Sequence, residues 1–272
     1  MDIEQIDDRV CIERREQIAY VRLTRSDKHN GMDFQMLHAV NKASESLKSD
    51  RNCRAVILSG EGPSFCAGLD VQSVMKTPAK AALGYAKLWQ PMRNDFQRWS
   101  MSWRELGVPV IAAVHGNCFG AGLQLALGAD IRFCTPEARL SVMEAKWGLV
   151  PDMGGPTLLR ELVGIDLAKE LCFTGRVISG EQAGEMGLVS HVDADPLAAA
   201  ERLCTEIIMR SPDAVGASKF LLQESWDAEE SESLGAERRW QRRVMGRSNQ
   251  RISVANNQKS GGSAQPFKPR SV

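Results

Sequence analysis

Residues 109–132, PVIAAVHGNCFGAGLQLALGADIR, contain a short apolar run, then a cluster of small residues, then a second apolar run. Residues 54–70, RAVILSGEGPSFCAGLD, follow the same order, and Gly60 closes their apolar run. A short run rich in branched apolar residues and bounded by turn residues is typical of a buried strand. We therefore expect two buried strands, each followed by a small-residue loop and the start of a helix.

The two small-residue loops would let a ligand approach the backbone closely. The first turn of a helix leaves N–H groups unpaired, and the helix dipole favours negative charge there. Two such loops facing each other could aim two N–H groups at one oxygen atom, which is the arrangement of an oxyanion hole. Each loop alone is more simply interpreted as a tight turn in a core, but the similar flanks of the pair favour the oxyanion hole.

Neither loop matches a nucleotide-binding motif. The P-loop pattern GxxxxGK[ST] is absent from the chain. Gly120-Ala121-Gly122 follows a strand, but the third glycine of a dinucleotide fingerprint would fall at Leu125. No acidic residue stands where a ribose contact is expected. These observations argue against a nucleotide-phosphate site in either loop.

Strand and helix patterns alternate over the first two thirds of the chain, which predicts an α/β fold. Residues 10–25 hold two alternating runs and predict a β-hairpin. A helix is expected from about Asp33, a suitable N-cap, to Ser49. Further helices are expected near residues 196–210, 212–226 and 231–246.

Composition narrows the classes of partner and compartment. The 272 residues carry equal numbers of basic and acidic side chains, so no overall charge favours nucleic acid or an anionic membrane. No apolar run approaches the ~20 residues that span a bilayer, and the acidic N-terminus does not resemble a targeting peptide. Seven cysteines without a CxxC pair argue against a disulfide framework. We expect a cytoplasmic protein.

Four segments in order resemble the crotonase superfamily, the enoyl-CoA hydratase/isomerase family. They are SFCAGLD at 64–70, the stretch 109–132 quoted above, E-x-x-x-GLVPDMGG at 144–155 and FTGRVISGEQAGEMGLVSHV at 173–192. The match runs from the first hairpin to about Val192 and is weaker beyond it.

The resemblance implies a fold and an assembly. Residues 1–195 would form a crotonase-like ββα spiral core with the acyl-CoA site, and residues 196–257 a helical region that mediates trimerisation. The remaining residues, 258–272, are rich in Gly, Ser, Lys and Pro, which favours a flexible tail. The expected partner is an acyl-CoA thioester, with no nucleic acid and no membrane, in a homotrimer or a dimer of trimers. No cofactor is expected, because CoA is part of the substrate.

The resemblance also assigns the binding residues. The two oxyanion donors would be the N–H groups of Leu69 and Ala121. Substrate contacts are expected from Lys28 in a polar turn and from residues beside the two loops or the third motif. These residues are Ala67, Gly68, Asp70, Gly120 and Trp147. A solvated turn lysine is an equally good interpretation of Lys28.

Three positions carry the acid–base chemistry in this family. Gln124 stands where hydratases have their first glutamate, Glu144 stands at the second, and Asp152 stands where the dienoyl-CoA isomerase branch has an acid. An apolar setting would suit Glu144 to proton transfer near neutral pH, although an exposed strand-end glutamate is the simpler alternative. Asp152 could instead cap a helix. An amide cannot exchange protons at neutral pH, so Gln124 favours double-bond isomerisation over hydration.

Two other functions stay open at this point. One is an acyl-thioester dehydratase or thioesterase that releases an unsaturated fatty acid, and the other is a non-catalytic acyl-CoA binding subunit. The histidines show no metal-ligand spacing, so no metal site is expected. Cys66 is more simply a buried small residue than a nucleophile. A group of aromatic residues could line an acyl tunnel or belong to the core: Tyr85, Trp89, Phe96, Trp99 and Trp103.

Overall fold

The computed structural model describes residues 2–89, 91–258 and 264–272. The strands are β1 Asp2–Ile6, β2 Val10–Arg15, β3 Ile18–Leu23, β4 Ala55–Gly60, β5 Val110–Val114, β6 Asn117–Phe119, β7 Ile131–Cys134, β8 Arg139–Ser141, β9 Ile178–Ser179 and β10 His191–Val192. The helices are α1 Phe34–Ser49, α2 Val71–Met75, α3 Pro78–Lys87, α4 Asp95–Met101, α5 Ala121–Leu127, α6 Gly155–Leu159, α7 Ile165–Thr174, α8 Gly180–Glu185, α9 Pro196–Ile208, α10 Pro212–Ser225, α11 Glu230–Val244 and α12 Ser248–Gln258.

A seven-stranded sheet runs in the order β1-β2-β3-β4-β5-β7-β10. The first three strands are antiparallel, and the rest add in parallel. The predicted hairpin is β2 and β3, joined by Glu16 and Gln17 in left-handed conformations (φ 50° and 67°) that suit the twist of a two-residue hairpin turn. A second sheet of three strands, in the order β6-β8-β9, lies beside the first.

The central strands β4 and β5 of the large sheet are buried on both faces, which explains their unbroken apolar runs. Side chains alternate between two clusters: Val56 and Leu58 pack on one face, while Ala55 and Ile57 pack on the other. The second face is covered by α9, through Ala200 and other apolar residues. Thus α9, which the sequence assigned to a separate helical region, packs on the main sheet.

Helix α1 begins and ends where the sequence predicts. Asp33 is its N-cap and accepts a hydrogen bond from the N–H of Met36 at 2.7 Å. The structure differs from the sequence-based expectation at residues 117–119, which were assigned to a loop. They form β6, because Cys118 and its neighbours pair in parallel with β8.

The C-terminal residues 264–272 also differ from the expectation of a flexible tail, and residues 259–263 of that tail lie outside the described part of the chain. Arg270 is buried, and its Nη2 donates to the carbonyls of Lys48 and Asp50 at 3.0 Å each, at the end of α1. The N–H of Ser271 donates to Asp213 at 2.6 Å. These contacts hold the tail against the body, which composition alone does not indicate.

The docked tail should contribute measurably to stability. Arg270→Ala would remove a buried side chain and the donor to these carbonyls, so we expect the free energy of unfolding to fall by about 2–3 kcal/mol in chemical denaturation. Lys268→Ala is the matched control, because its side chain is exposed, and it should change stability by less than about 0.5 kcal/mol. Equal losses in the two variants would contradict the role given to Arg270.

Candidate active site

The two small-residue loops lie against each other. The N–H of Cys66 donates to the carbonyl of Asn117 at 3.0 Å, and the N–H of Phe119 donates to the carbonyl of Cys66 at 3.0 Å. These bonds join the first loop to β6, immediately before the second loop. The approach depends on Gly68, whose φ is +89° and where a Cβ atom would lie only 2.7 Å from the carbonyl oxygen of Phe119.

The backbone beside Leu69 is fixed by Met32 on both sides. The N–H of Met32 donates to the carbonyl of Gly68 at 2.7 Å, and the N–H of Asp70 donates to the carbonyl of Met32 at 2.9 Å. The backbone of Ala121 is fixed by Trp99, whose indole Nε1 donates to the Ala121 carbonyl at 2.7 Å. Both predicted oxyanion donors are thus held by groups distant in sequence.

The N–H groups of Leu69 and Ala121 have no protein acceptor among the described residues. Both residues line one cavity of about 220 Å³. Two unpaired N–H groups beside one cavity could bind a single oxygen atom, as the sequence predicts. Within the described part of the chain, this is where the two loops meet a cavity.

The cavity is lined mostly by apolar residues. Leu149 and Val150, which belong to the third motif, line it and are more than half exposed. Tyr85, Leu88 and Phe96 line it from the segment that includes α3 and the start of α4. Such a lining suits a hydrocarbon chain.

The aromatic residues therefore divide between the two roles left open. Tyr85 and Phe96 line the cavity. Trp99 and Trp103 are fully buried in the core, and Trp89 is 79% exposed and does not line the cavity.

Gln124, on α5, is buried at 2% exposure and does not line the cavity itself. Its Oε1 accepts two hydrogen bonds, from the N–H groups of Met153 and Gly155, both at 2.9 Å. Its Nε2 donates to Oε1 of Glu144 at 2.6 Å. The amide oxygen is therefore fully used by the backbone, and the amide nitrogen orients the carboxyl of Glu144.

Glu144 lines the cavity and is 9% exposed, so the alternative of an exposed strand-end residue does not hold. Its Oε2 is a buried oxygen with no hydrogen-bond partner among the described residues. Burial raises the pKa of Glu144 above its ordinary value, hydrogen bonds from its own backbone and from Gln124 oppose this, and the charge of Asp152 raises it further. A carboxyl whose pKa is raised in this way is better suited to proton transfer than an ordinary exposed glutamate.

Asp152 lines the same cavity, and burial raises its pKa. It does not cap the following helix: α6 begins at Gly155, with Gly154 in the N-cap position and no side-chain cap. The capping alternative is therefore wrong, and the acid lies where it can interact with Glu144.

The other residues predicted to contact substrate do not line this cavity, and they lie in several places around it. A Cβ atom on Gly120 would lie 3.3 Å from Oε1 of Glu144, so this glycine borders the carboxyl. Ala67 lies in the first loop, where its N–H donates to the carbonyl of His29. Lys28 and Trp147 are exposed and do not line the cavity.

Asp70 has a structural role that the sequence did not indicate. It accepts from the N–H of Ser73 at 3.0 Å as the N-cap of α2 and pairs with Arg25 at 2.8 Å. Burial would raise the pKa of Asp70, but the hydrogen bonds from Ser73 and the Arg25 guanidinium outweigh it and hold the pKa below its ordinary value. Asp70 is therefore charged at neutral pH.

Sequence reasoning also missed Arg25, Met32 and the backbone of Met153, and it did not predict the bond of Trp99 to the Ala121 carbonyl. Their contacts depend on tertiary structure and have no local signature. Burial raises the pKa of the Cys66 thiol to about 12, which fits a buried small residue better than a nucleophile. No group of three His, Cys, Asp or Glu side chains able to hold a metal ion occurs among the described residues.

A family model described as enoyl-CoA hydratase/isomerase matches residues 13–257. The chain belongs to this family of crotonase-fold enzymes. The fold and the family that the four motifs imply are thereby confirmed.

Three relatives show the extent of the similarity. A Bacillus subtilis (strain 168) protein described as enoyl-CoA hydratase/isomerase YngF is 33% identical over 229 residues, which are 83% of this chain and 85% of that protein. The mitochondrial Delta(3,5)-Delta(2,4)-dienoyl-CoA isomerase of Rattus norvegicus is 32% identical over 234 residues, 83% of this chain and 72% of the isomerase. The crystal structure of a Thermobifida fusca YX protein, described as an enoyl-CoA hydratase in complex with acetoacetyl-CoA, is 29% identical, with a TM-score of 0.78 over 87% of this chain and 94% of that chain.

None of the helices that the structure describes is long and apolar enough to cross a membrane. The C-terminal helices expected of the family are present as α9 to α12. Their part in trimerisation stays a prediction.

The raised pKa of Glu144 predicts a stability cost at neutral pH. A carboxyl whose pKa is higher in the folded state loses stability as pH rises from its unfolded pKa through its folded pKa. Glu144→Gln removes this cost and keeps an acceptor for Gln124, so we expect the variant to be more stable than the parent at pH 7. The difference should vanish below about pH 4, where the carboxyl is protonated in both states.

Denaturant titrations at several pH values measure this effect. The exposed Glu185→Gln variant on α8 is the control and should show no such gain. A Glu144→Gln variant less stable than the parent at pH 7 would contradict the assignment of a carboxyl whose pKa is raised by burial.

Proposed function

We propose that the chain shifts a carbon–carbon double bond within an enoyl-CoA thioester. The apolar cavity would hold the acyl chain, and the N–H groups of Leu69 and Ala121 would bind the thioester oxygen. Two relatives support this: the rat protein is named a dienoyl-CoA isomerase, and the Thermobifida fusca structure contains acetoacetyl-CoA.

The hydrogen bonding of Gln124 carries the preference for isomerisation. Its oxygen already accepts from Met153 and Gly155, and its nitrogen donates to Glu144. An amide held in this way can neither take a proton from water nor give one. Hydration that uses two carboxylates to add water across a double bond is therefore disfavoured. Moving one proton requires only Glu144, with Asp152 beside it.

The proposed reaction moves one proton from one carbon of the substrate to another. It exchanges no electrons with a cofactor. Glu144, which lines the cavity, would take a proton from the carbon next to the thioester carbonyl. The electron pair left behind spreads to the thioester oxygen, where the two N–H groups stabilise the enolate; such donors are worth about 3–4 kcal/mol each. The carboxyl, with Asp152 as a second group that can hold the proton, then returns it to the far carbon of the original double bond, and the double bond moves one position toward the thioester carbonyl.

An assay with 3-enoyl-CoA and 2-enoyl-CoA substrates of several chain lengths tests this proposal. We expect the double bond to change position, and Glu144→Gln to lower kcat by about 100-fold or more while acyl-CoA binding is kept. Full activity in that variant would refute the role of Glu144. Release of free CoA would favour the thioesterase, and binding without turnover would favour a non-catalytic subunit.

Gln124→Glu tests the reasoning about the missing carboxylate. The new carboxyl would lie about as close to Oε1 of Glu144 as the amide does, at 2.6 Å, so the two acids would share a proton and titrate as a pair. We expect hydration of 2-enoyl-CoA to appear or rise strongly. Gln72→Glu, which changes the same charge at an exposed position on α2, should not change hydration; absence of hydration in both variants would contradict this reasoning.

A further inference from the structure

Arg25 lies under the first loop, and its side chain is only 11% exposed. Its Nη1 donates to the carbonyl of Gly31 at 2.8 Å. Its Nη2 pairs with Asp70 at 2.8 Å and donates to Ser73 Oγ at 3.2 Å. One guanidinium thus connects the segment before α1 to the start of α2.

These contacts hold the residue that follows Leu69. Met32 bonds to the backbone of Gly68 and Asp70, on either side of Leu69, and Arg25 adds a side-chain bond to Asp70. A displacement of Asp70 would therefore turn the peptide that carries the Leu69 N–H. A misplacement of about 1 Å at a reacting group can cost about 100-fold in rate.

Charge gives Arg25 a second effect on the same site. Asp70 is ionised and is the next residue after Leu69, so an unpaired charge on it would act on the site through the neighbouring backbone. Arg25 neutralises it in a cluster of two arginines and two aspartates, in which Arg9 pairs with Asp33 at 3.0 Å and Arg25 also approaches Asp33 at 3.5 Å. Without Arg25, an unpaired carboxylate would oppose the developing charge.

We propose that Arg25 is a positioning residue for the oxyanion hole, which fixes the Leu69 N–H through Asp70 and neutralises that carboxylate. This inference rests on the proposed function, because it takes the Leu69 N–H as a donor to the thioester oxygen. Arg25 does not line the cavity and is not assigned any contact with the substrate.

Arg9 provides a matched control within the same cluster. Both arginines pair with Asp33, but only Arg25 bonds to Asp70. Arg9→Gln therefore removes an ion pair of the cluster without releasing the loop. Arg25→Gln removes the same charge and releases the loop.

The first measurement uses acetoacetyl-CoA, whose enolate has its own ultraviolet absorption band. An oxyanion hole binds the enolate more tightly than the keto form, so it lowers the apparent pKa of the bound ligand. We expect Arg25→Gln to raise that pKa by about one unit, a tenfold loss of enolate stabilisation. Arg9→Gln should leave it within about 0.3 units of the parent, and Arg25→Lys should fall between the two.

The second measurement is steady-state isomerisation with the same variants and with Arg25→Gln/Asp70→Asn. We expect Arg25→Gln to lower kcat by about 10- to 100-fold with KM changed by less than about threefold. Removing the Asp70 charge should restore part of kcat. A double variant no faster than Arg25→Gln would overturn the electrostatic role.

The outcomes separate this inference from the proposed function. If the parent protein forms no enolate from acetoacetyl-CoA and turns over no enoyl-CoA, the proposed function fails. If the parent does both, but Arg25→Gln and Arg9→Gln lose activity equally and in proportion to their stability, Arg25 is only a structural residue and the inference is overturned.

Discussion

The side chain of Gln124 connects the parts of the site that must keep a fixed geometry. Through its oxygen it holds the turn at Met153 and Gly155, and through its nitrogen it holds Glu144. It stands on α5, whose first residue is Ala121. One buried amide therefore sets the carboxyl of Glu144 relative to the second oxyanion donor. A buried amide with all three of these bonds made is also stabilising, whereas a half-bonded one would not be.

The charge at the Gln124–Glu144 pair depends on residue 124 being an amide and not an acid. A carboxylate at position 124 could accept the same two backbone N–H groups, but it would place a second negative charge against Glu144, and one of the two acids would then hold a proton. The Gln124 amide avoids that repulsion, because its Nε2 donates a hydrogen bond to Glu144 where a second carboxylate would repel it. Glu144 titrates as one group. Its ionisation is opposed mainly by its burial and also by the charge of Asp152. The site is thus arranged around one principal proton, which suits isomerisation.

Much of the fold follows from local patterns that the sequence displays. The hairpin, α1 with its Asp33 cap, and the buried strands β4 and β5 were predictable, because alternation, capping and apolar runs are local signals. β6 was not, because its residues are a strand only through pairing with β8 and with Cys66. The docking of Arg270 was not either, since its partners are carbonyl groups at the end of α1. Amino-acid composition cannot indicate such backbone acceptors, because every residue has a carbonyl group.

In the site, too, some features were predictable from the sequence and others were not. The identities of Gln124, Glu144 and Asp152 could be placed from motif spacing, whereas their contacts could not. The oxygen of Gln124 meets backbone groups 29 and 31 residues away. The indole of Trp99 reaches the carbonyl of Ala121 across 22 residues. These partners use backbone atoms, which every residue has, so no residue type marks them.

The two oxygens of Glu144 are not equivalent, and this difference affects how strongly the carboxyl binds a proton. Oε1 accepts from Gln124, which stabilises charge on that oxygen, while Oε2 has no partner in the described chain. A buried carboxylate oxygen without a donor is costly. Taking a proton at Oε2 relieves that cost, and returning it restores the cost. The same incomplete bonding that reduces folded stability therefore raises the affinity of Oε2 for the substrate proton, so an additional donor at Oε2 would stabilise the protein and weaken the base.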